Sequence, residues 1–290
     1  MLHEKSISPI IEYFQGIEIT EHHIYKRLAR SIKNPENSQV LDQIADDELR
    51  HYTDWKKYTG LEIKPDMWKV WKFYWISRIF GFTFGIKLME RGEKKAQKNY
   101  SDLIGKVPNI KNWIQDEEVH EQKLLAMLDE ERLRYAGSVV LGLNDALVEL
   151  TGALAGLTLA LQNVELIALT GLITGIAAAM SMAASEYLST RSEQTDKQPV
   201  RAAVYTGIAY IFTVFLLILP YLIFENYYLA LAWALGTGVL IIAVFNYYIS
   251  VAKDEPFRER FAEMAGLSLG VAAFSFFIGY LIRTWLGIEV

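Results

Sequence analysis

The sequence predicts an all-α protein in two parts: a four-helix bundle over residues 1–135, then a five-span α-helical membrane domain over residues 136–290. Three observations predict it. First, charge divides sharply: all five His, 22 of the 29 Lys+Arg and 22 of the 34 Asp+Glu precede residue 136. Second, the front part reads as long helical stretches separated by short Pro-, Gly- and Asn-containing breaks, which suggests an antiparallel bundle. Third, the back part contains five apolar stretches, each long enough at about 1.5 Å per residue to cross a hydrocarbon core of about 30 Å.

The front helices follow in order. The first spans about Ile7 to Ile32 and is closed by "KNPEN"; the second spans about Glu36 to Tyr58 and ends at Gly60. Pro65 and Asp66 then offer a start signal for a third stretch running to about Leu103. "GKVPN" breaks the chain before the fourth, Ile110 to Arg134. The third stretch contains "VWKFYWISRIFGFTFGIKLM", apolar enough to raise the question of a membrane span. Lys69, Lys72, Arg78 and Lys87 exclude it, because each charge at a bilayer centre costs several kcal/mol. It is expected as a buried helix of the bundle; the alternative is that its aromatic and basic residues rest against lipid headgroups.

The back spans are expected at Ala136–Leu161, Leu166–Tyr187, Ala202–Phe224, Tyr227–Val251 and Ala262–Leu286. Their loops set the orientation. "TRSEQTDKQPVR" and "KDEPFRER" are basic, while "QNVE" and "FEN" hold no Lys or Arg. The positive-inside rule therefore puts the N-terminus and the two basic loops in the cytoplasm and the C-terminus outside, in the cell membrane. "MLHEKSISPIIEYF" does not read as a secretory signal, which agrees with a cytoplasmic front domain.

Composition excludes several chemistries. With no Cys, the chain forms no disulfide, thiolate zinc site, iron–sulfur cluster or rubredoxin-type centre. A net charge of −5, with no basic face, excludes nucleic acid as a partner.

Within the front domain, "ADDELRH" and "QDEEVHE" each place a Glu three residues before a His: Glu48 with His51, and Glu117 with His120. Positions i and i+3 share a helix face, so each pair presents a carboxylate and an imidazole to one point. Glu18 and Glu21 on the first helix, and Glu90 and Glu93 on the third, repeat the spacing. Singly, each is an ordinary solvated charge. Together they match the bundle solution for two iron ions, one Glu from each of two helices and a Glu-x-x-His from each of the others. Such hard oxygen and imidazole donors suit iron and equally manganese.

Residues 7–134 resemble the rubrerythrin-like branch of the ferritin-like superfamily. "GIEITEHHIYKRLA" is similar to its first-helix motif, "DDELRH" and "DEEVHE" to its two Glu-x-x-His motifs, and "RGEKKAQKNY" to its third-helix Gly-Glu. The resemblance implies a di-iron site of Glu18, Glu48, His51, Glu93, Glu117 and His120, with Glu21 and Glu90 as spare carboxylates. It departs at Ala96, where rubrerythrins often carry a further Glu, and in lacking the rubredoxin module that supplies electrons.

Ionisable residues inside membrane spans are functional by default. The first span, "GLNDALVELTGALAGL", sets Asp145 and Glu149 on one face; the second, "MSMAASEYLS", does the same for Met182 and Glu186. "TGALAG" and "GLITGIAAAM" supply small residues for close helix approach. Residues 136–290 resemble the vacuolar iron transporter family. "GLNDALVELTGALAGL" and "MSMAASEYLS" are similar to its first- and second-span motifs, so the resemblance implies a transport path through Asp145, Met182 and Glu186, which Glu149 joins by sharing the face of Asp145. It also implies Fe²⁺/H⁺ exchange and a homodimer. The glutamate-rich insert that members often carry between spans two and three is reduced here to "TRSEQTDKQP".

The function expected is export of Fe²⁺, or Mn²⁺, from the cytoplasm by proton antiport, with a ferritin-like domain that captures or oxidises the metal. A membrane-anchored ferroxidase or peroxidase, and an iron-storage or sensing protein, are the alternatives.

Overall fold

The computed structural model describes residues 4–97, 115–117, 119–120, 122–124, 134–193 and 197–286; all of its regular structure there is helical. The chain divides into two compact units, Met1–Glu130 and Glu131–Val290.

In the first unit α1 (Glu4–Ala29) lies along α2 (Pro35–Thr59). Asn34 starts α2, its side chain accepting hydrogen bonds from the amides of Glu36 and Asn37, with Pro35 supplying the fixed φ that suits a first turn. Gly60, at φ 65°, closes the helix in the left-handed conformation that a side chain disfavours. Asp66 caps α3 (Met67–Phe80) through the amides of Trp68 and Lys69. Ile24, Tyr25, Leu28, Leu41, Ile44, Val70, Ile86, Met89 and Leu124 form the apolar core.

Two expectations about the third stretch are corrected. It is not one helix: α3 ends at Phe80 and α4 (Phe82–Gln97) begins after Gly81, whose φ of 103° and ψ of 147° lie outside helical geometry and break the hydrogen-bond ladder. The chain turns there sharply enough that Gly85 lies directly against Ser77, with no room for a Cβ. Nor is α3 buried. Val70 and Ser77 are its buried residues, whereas Trp68, Trp71, Trp75 and Ile79 on the opposite side are exposed. The expected fourth helix lies mostly outside the described residues, but 115–117, 119, 120 and 122–124 are helical.

In the second unit five helices are long and apolar enough to cross a membrane: α5 (Ala136–Leu161), α6 (Val164–Ser192), α7 (Pro199–Ile223), α8 (Tyr227–Lys253) and α9 (Phe257–Leu286). The chain is a multi-pass membrane protein. Helices α6, α7 and α9 begin before the apolar stretches that announce them, because capping residues and polar first turns carry the hydrogen bonding past the lipid-facing segment. Asn163, for example, caps α6 through the amides of Glu165 and Leu166. Helix α5 is the hub, packing on α6, α7, α8 and α9. Glycines set the closest approaches: Gly142 lies on the Thr206 backbone of α7, and Gly156 faces Gly279 of α9. With no hydrophobic drive between helices in lipid, such close contact supplies much of the packing. The outward residues Phe212, Phe215, Leu222, Leu240 and Phe274 are exposed, as a hydrocarbon solvent requires.

Candidate metal centre and membrane path

The centre is built into apolar stripes. On α1, Ile11, Phe14, Glu18, Tyr25 and Leu28 recur at helical spacing and are buried; on α2, Leu41, Ile44, Glu48, His51 and Trp55 do the same. A carboxylate in a core stripe is costly unless something answers its charge. Here ligand atoms of Glu18, Glu48, His51 and Glu117 lie within 4.8 Å of one another. His51 Nδ1 is 3.5 Å from Glu48, 3.7 Å from Glu18 and 3.7 Å from Glu117. His120 Nδ1 lies 3.2 Å from the other oxygen of Glu48. Glu48 is thus central, facing both imidazoles.

Two further carboxylates, which the sequence reading passed over, aim the rings. Asp116 accepts a hydrogen bond from His51 Nε2 at 3.2 Å, and Asp47 accepts one from His120 Nε2 at 3.0 Å. Each Asp immediately precedes the Glu of one motif and serves the His of the other, so the repeated unit is Asp-Glu-x-x-His. Arg50 bridges the two, at 2.7 Å from Asp47 and 3.0 Å from Asp116. With Nε2–H held by a carboxylate, a neutral ring turns the lone pair of Nδ1 towards more carboxylates. Only a proton or a cation makes that arrangement favourable. Trp55 was also passed over; it is fully buried, stacks on Phe14 and donates its indole N–H to Glu18 at 3.2 Å.

Electrostatics report the same need. Burial pushes the Glu48 carboxyl up, as does the neighbouring Glu18 charge, leaving it well above the usual carboxylate range. Burial also pushes Glu18 up, but hydrogen bonds and charge from His51 bring it below its ordinary value. For His51 burial opposes the charged form, yet Glu18 and Glu48 outweigh it and raise the imidazole to about 11. Without metal, protons therefore stand in for cations between these groups.

Of the residues predicted from sequence, Glu18, Glu48, His51 and Glu117 converge, with His120 beside Glu48. Glu21 is buried and lines a 250 Å³ cavity with Glu12, Lys64, Asp66 and Lys69. Glu90 and Glu93 belong to α4, and their side chains lie outside the described residues. The donors present, buried oxygens and imidazoles with carboxylates behind them, fit a hard or borderline divalent metal.

Among the described residues of the second unit, no three acidic or imidazole ligands converge on one point. Glu149 accepts a hydrogen bond from Tyr210 of α7 at 2.8 Å and lines a 540 Å³ groove with Gly152, Gly156, Thr170, Thr174 and Ser275. Glu186, buried on α6, accepts one from Ser138 of α5 at 2.6 Å. Asp145 lies one turn from Glu149, and Met182 packs at the edge of the apolar core. Among the described residues, the acidic and imidazole ligands converge as a metal-sized cluster in the first unit alone.

Fold and sites together define a multi-pass helical membrane protein with a buried carboxylate–imidazole cluster in its first unit. Residues 136–196, covering α5 and α6 with Asp145, Glu149, Met182 and Glu186, match the family model of the VIT family. That match, with the five apolar helices, supports a VIT-type membrane domain and points to metal-ion transport across the membrane. No curated protein and no solved structure matches the chain significantly.

Proposed function

We propose that the protein exports Fe²⁺ from the cytoplasm across the cell membrane by exchange for protons, and that its first unit is a ferritin-like bundle receiving the metal before export. The observation that carries this reading is the convergence of Glu18, Glu48, His51 and Glu117 in a chain whose residues 136–196 match the VIT family. Mn²⁺ satisfies the same donors and is the competing cargo.

Glu18, Glu48, His51, Glu117 and His120, joined by Glu93 of α4, would hold a pair of iron ions in the first unit. Such a pair would supply one-electron chemistry towards incoming Fe²⁺. The protein's own part is to bind and orient. Asp47 and Asp116 hold the imidazoles with Nδ1 inward, and His51 releases its proton as the metal enters. In the membrane, Asp145 takes the exchange role, Glu149 offers a second carboxylate on the groove, and Met182 and Glu186 continue the path along α6. A carboxylate here serves two cations in turn, the metal ion and the proton, so its occupancy couples the two flows. The working unit is a homodimer with the N-terminus and basic loops cytoplasmic and the C-terminus outside.

Flux of Fe²⁺ and of Mn²⁺ into proteoliposomes under an imposed pH gradient tests the proposal. Gradient-dependent Fe²⁺ uptake with counterflow of protons supports it. Fe²⁺ oxidation without uptake would overturn it in favour of a membrane-anchored ferroxidase.

A further inference from the structure

Helix α3 is apolar on both sides, and a helix apolar all round is normally buried. This one is buried on one side alone. Val70 and Ser77 face inward, with Phe73 and Tyr74 packed partly against the core, while Trp68, Trp71, Trp75 and Ile79, at i, i+3, i+7 and i+11, form an outward stripe. Their exposures are 71%, 46%, 54% and 61%. Three exposed Trp within eight residues are far more than solubility tolerates, and a contiguous patch of this kind marks a contact surface.

Charge narrows what that contact is. Helix α3 contains Lys69, Lys72 and Arg78 and no Asp or Glu, although the chain as a whole carries −5. Lys72 lies within the stripe, its ammonium 5.3 Å from the Trp68 ring; Lys69 and Arg78 flank it on either side. Arg27 of α1 adds a further cation, its guanidinium 3.9 Å from the centre of the Trp71 ring. A second protein surface would have to bury these cations with Trp, whereas an anionic lipid surface pairs with them while the indoles settle at headgroup depth. The same chain supplies five membrane helices, so a bilayer is always at hand and the contact forms without a separate recruitment step.

We infer that the outward face of α3 is a lipid-binding surface, lying in the interface of an anionic membrane with Trp68, Trp71 and Trp75 inserted and Arg27, Lys72 and Arg78 on headgroup phosphates, while Lys69 pairs with Asp66 beside the face.

Because the chain has no native Cys, site-directed spin labelling of the full-length protein tests this directly. A nitroxide at Lys72→Cys, and separately at Trp75→Cys, is compared with one at Gln43→Cys on exposed α2, in nanodiscs of phosphatidylglycerol and phosphatidylcholine and in pure phosphatidylcholine. Expected is a label at 72 or 75 that favours oxygen over an aqueous nickel chelate several-fold more than the label at 43 does. Adding Lys72→Glu and Arg78→Glu should return the Trp75→Cys label to the aqueous value, and so should removal of the anionic lipid. The inference falls if labels at 72 and 75 are as aqueous as at 43 in anionic nanodiscs. It falls equally if they are shielded but show strong spin–spin coupling between copies, since the occupant is then a second chain. Two label positions guard against one variant misfolding, and helical content by circular dichroism shows whether each has folded.

Discussion

The two units treat their carboxylates in opposite ways. In the first, Glu18, Glu48 and Glu117 crowd His51, and a second layer of Asp47, Asp116 and Arg50 stiffens the arrangement. In the second, Glu149, exposed on α5, and Glu186, buried on α6, each meet one hydroxyl, Tyr210 or Ser138. The difference suits a division of labour. Converging, pre-aimed donors hold a metal ion tightly, because little reorganisation is needed on binding. An ion in transit must also leave, and sites along a conducting path are therefore weaker and spread out. A mutation should consequently abolish retention in one unit and movement in the other.

The largest effect is expected from Glu48→Ala combined with Glu117→Ala. This pair should remove high-affinity binding of about two metal ions per chain, measured by elemental analysis, with the helical circular dichroism unchanged. Retained metal would break the contrast at its tight end. Next, Asp145→Asn keeps the shape of the side chain but not its charge. It should load metal in the first unit as the wild type does, yet lose flux driven by a pH gradient in proteoliposomes. Normal flux would make Asp145 structural and dissolve the proposed path.

Third comes pH. His51 is raised from 6.5 to about 11, so it holds a proton near neutrality in the metal-free unit, while burial and the Glu18 charge push Glu48 up as well. A metal ion binding there would have to displace the His51 proton. Apparent affinity should therefore rise with pH by about tenfold per unit up to about 11, with proton release visible calorimetrically in buffers of different ionisation enthalpy. The folding stability of the metal-free unit moves the other way. The contribution of His51 is fully present below 6.5 and is lost as pH rises through about 11. An affinity independent of pH would show that the site is not proton-loaded.

Fourth, Asp47→Asn with Asp116→Asn should weaken metal binding about 10–100-fold without abolishing it, since the ligands remain but the imidazoles are no longer held in one tautomer and orientation. The smallest effect is expected from Tyr210→Phe, which deletes one hydrogen bond to Glu149. In a membrane interior such a bond averages about 0.6 kcal/mol, so stability should change little while flux falls a few-fold. Loss of folding on that substitution would mean that Glu149 and Tyr210 form a packing contact rather than part of a path.

The second unit was largely legible in the sequence. Lipid as solvent forces each spanning segment to satisfy its own backbone and to show apolar residues outward, so length, apolarity and the five-span count were all determined locally. The helix ends were less so, because caps such as Asn163 and polar first turns like that of Phe257 lie beyond the apolar signal. In the first unit the Glu-x-x-His repeats were determined by spacing, since one helix face carries both members of each pair. What spacing could not decide was which carboxylate turns towards which ring. Asp47 serves His120 and Asp116 serves His51, more than sixty positions away in each case, and that pairing depends on how two helices cross. Glu18 ahead of Glu21 came from the resemblance of the first-helix motif rather than from spacing; both are buried on α1, Glu18 in the cluster and Glu21 lining a cavity. Helix α3 shows the limit most clearly. Its Trp and Lys pattern was plain in the sequence, but a tryptophan's burial is a property of what packs over it, and tertiary structure alone decided that three of them face outward.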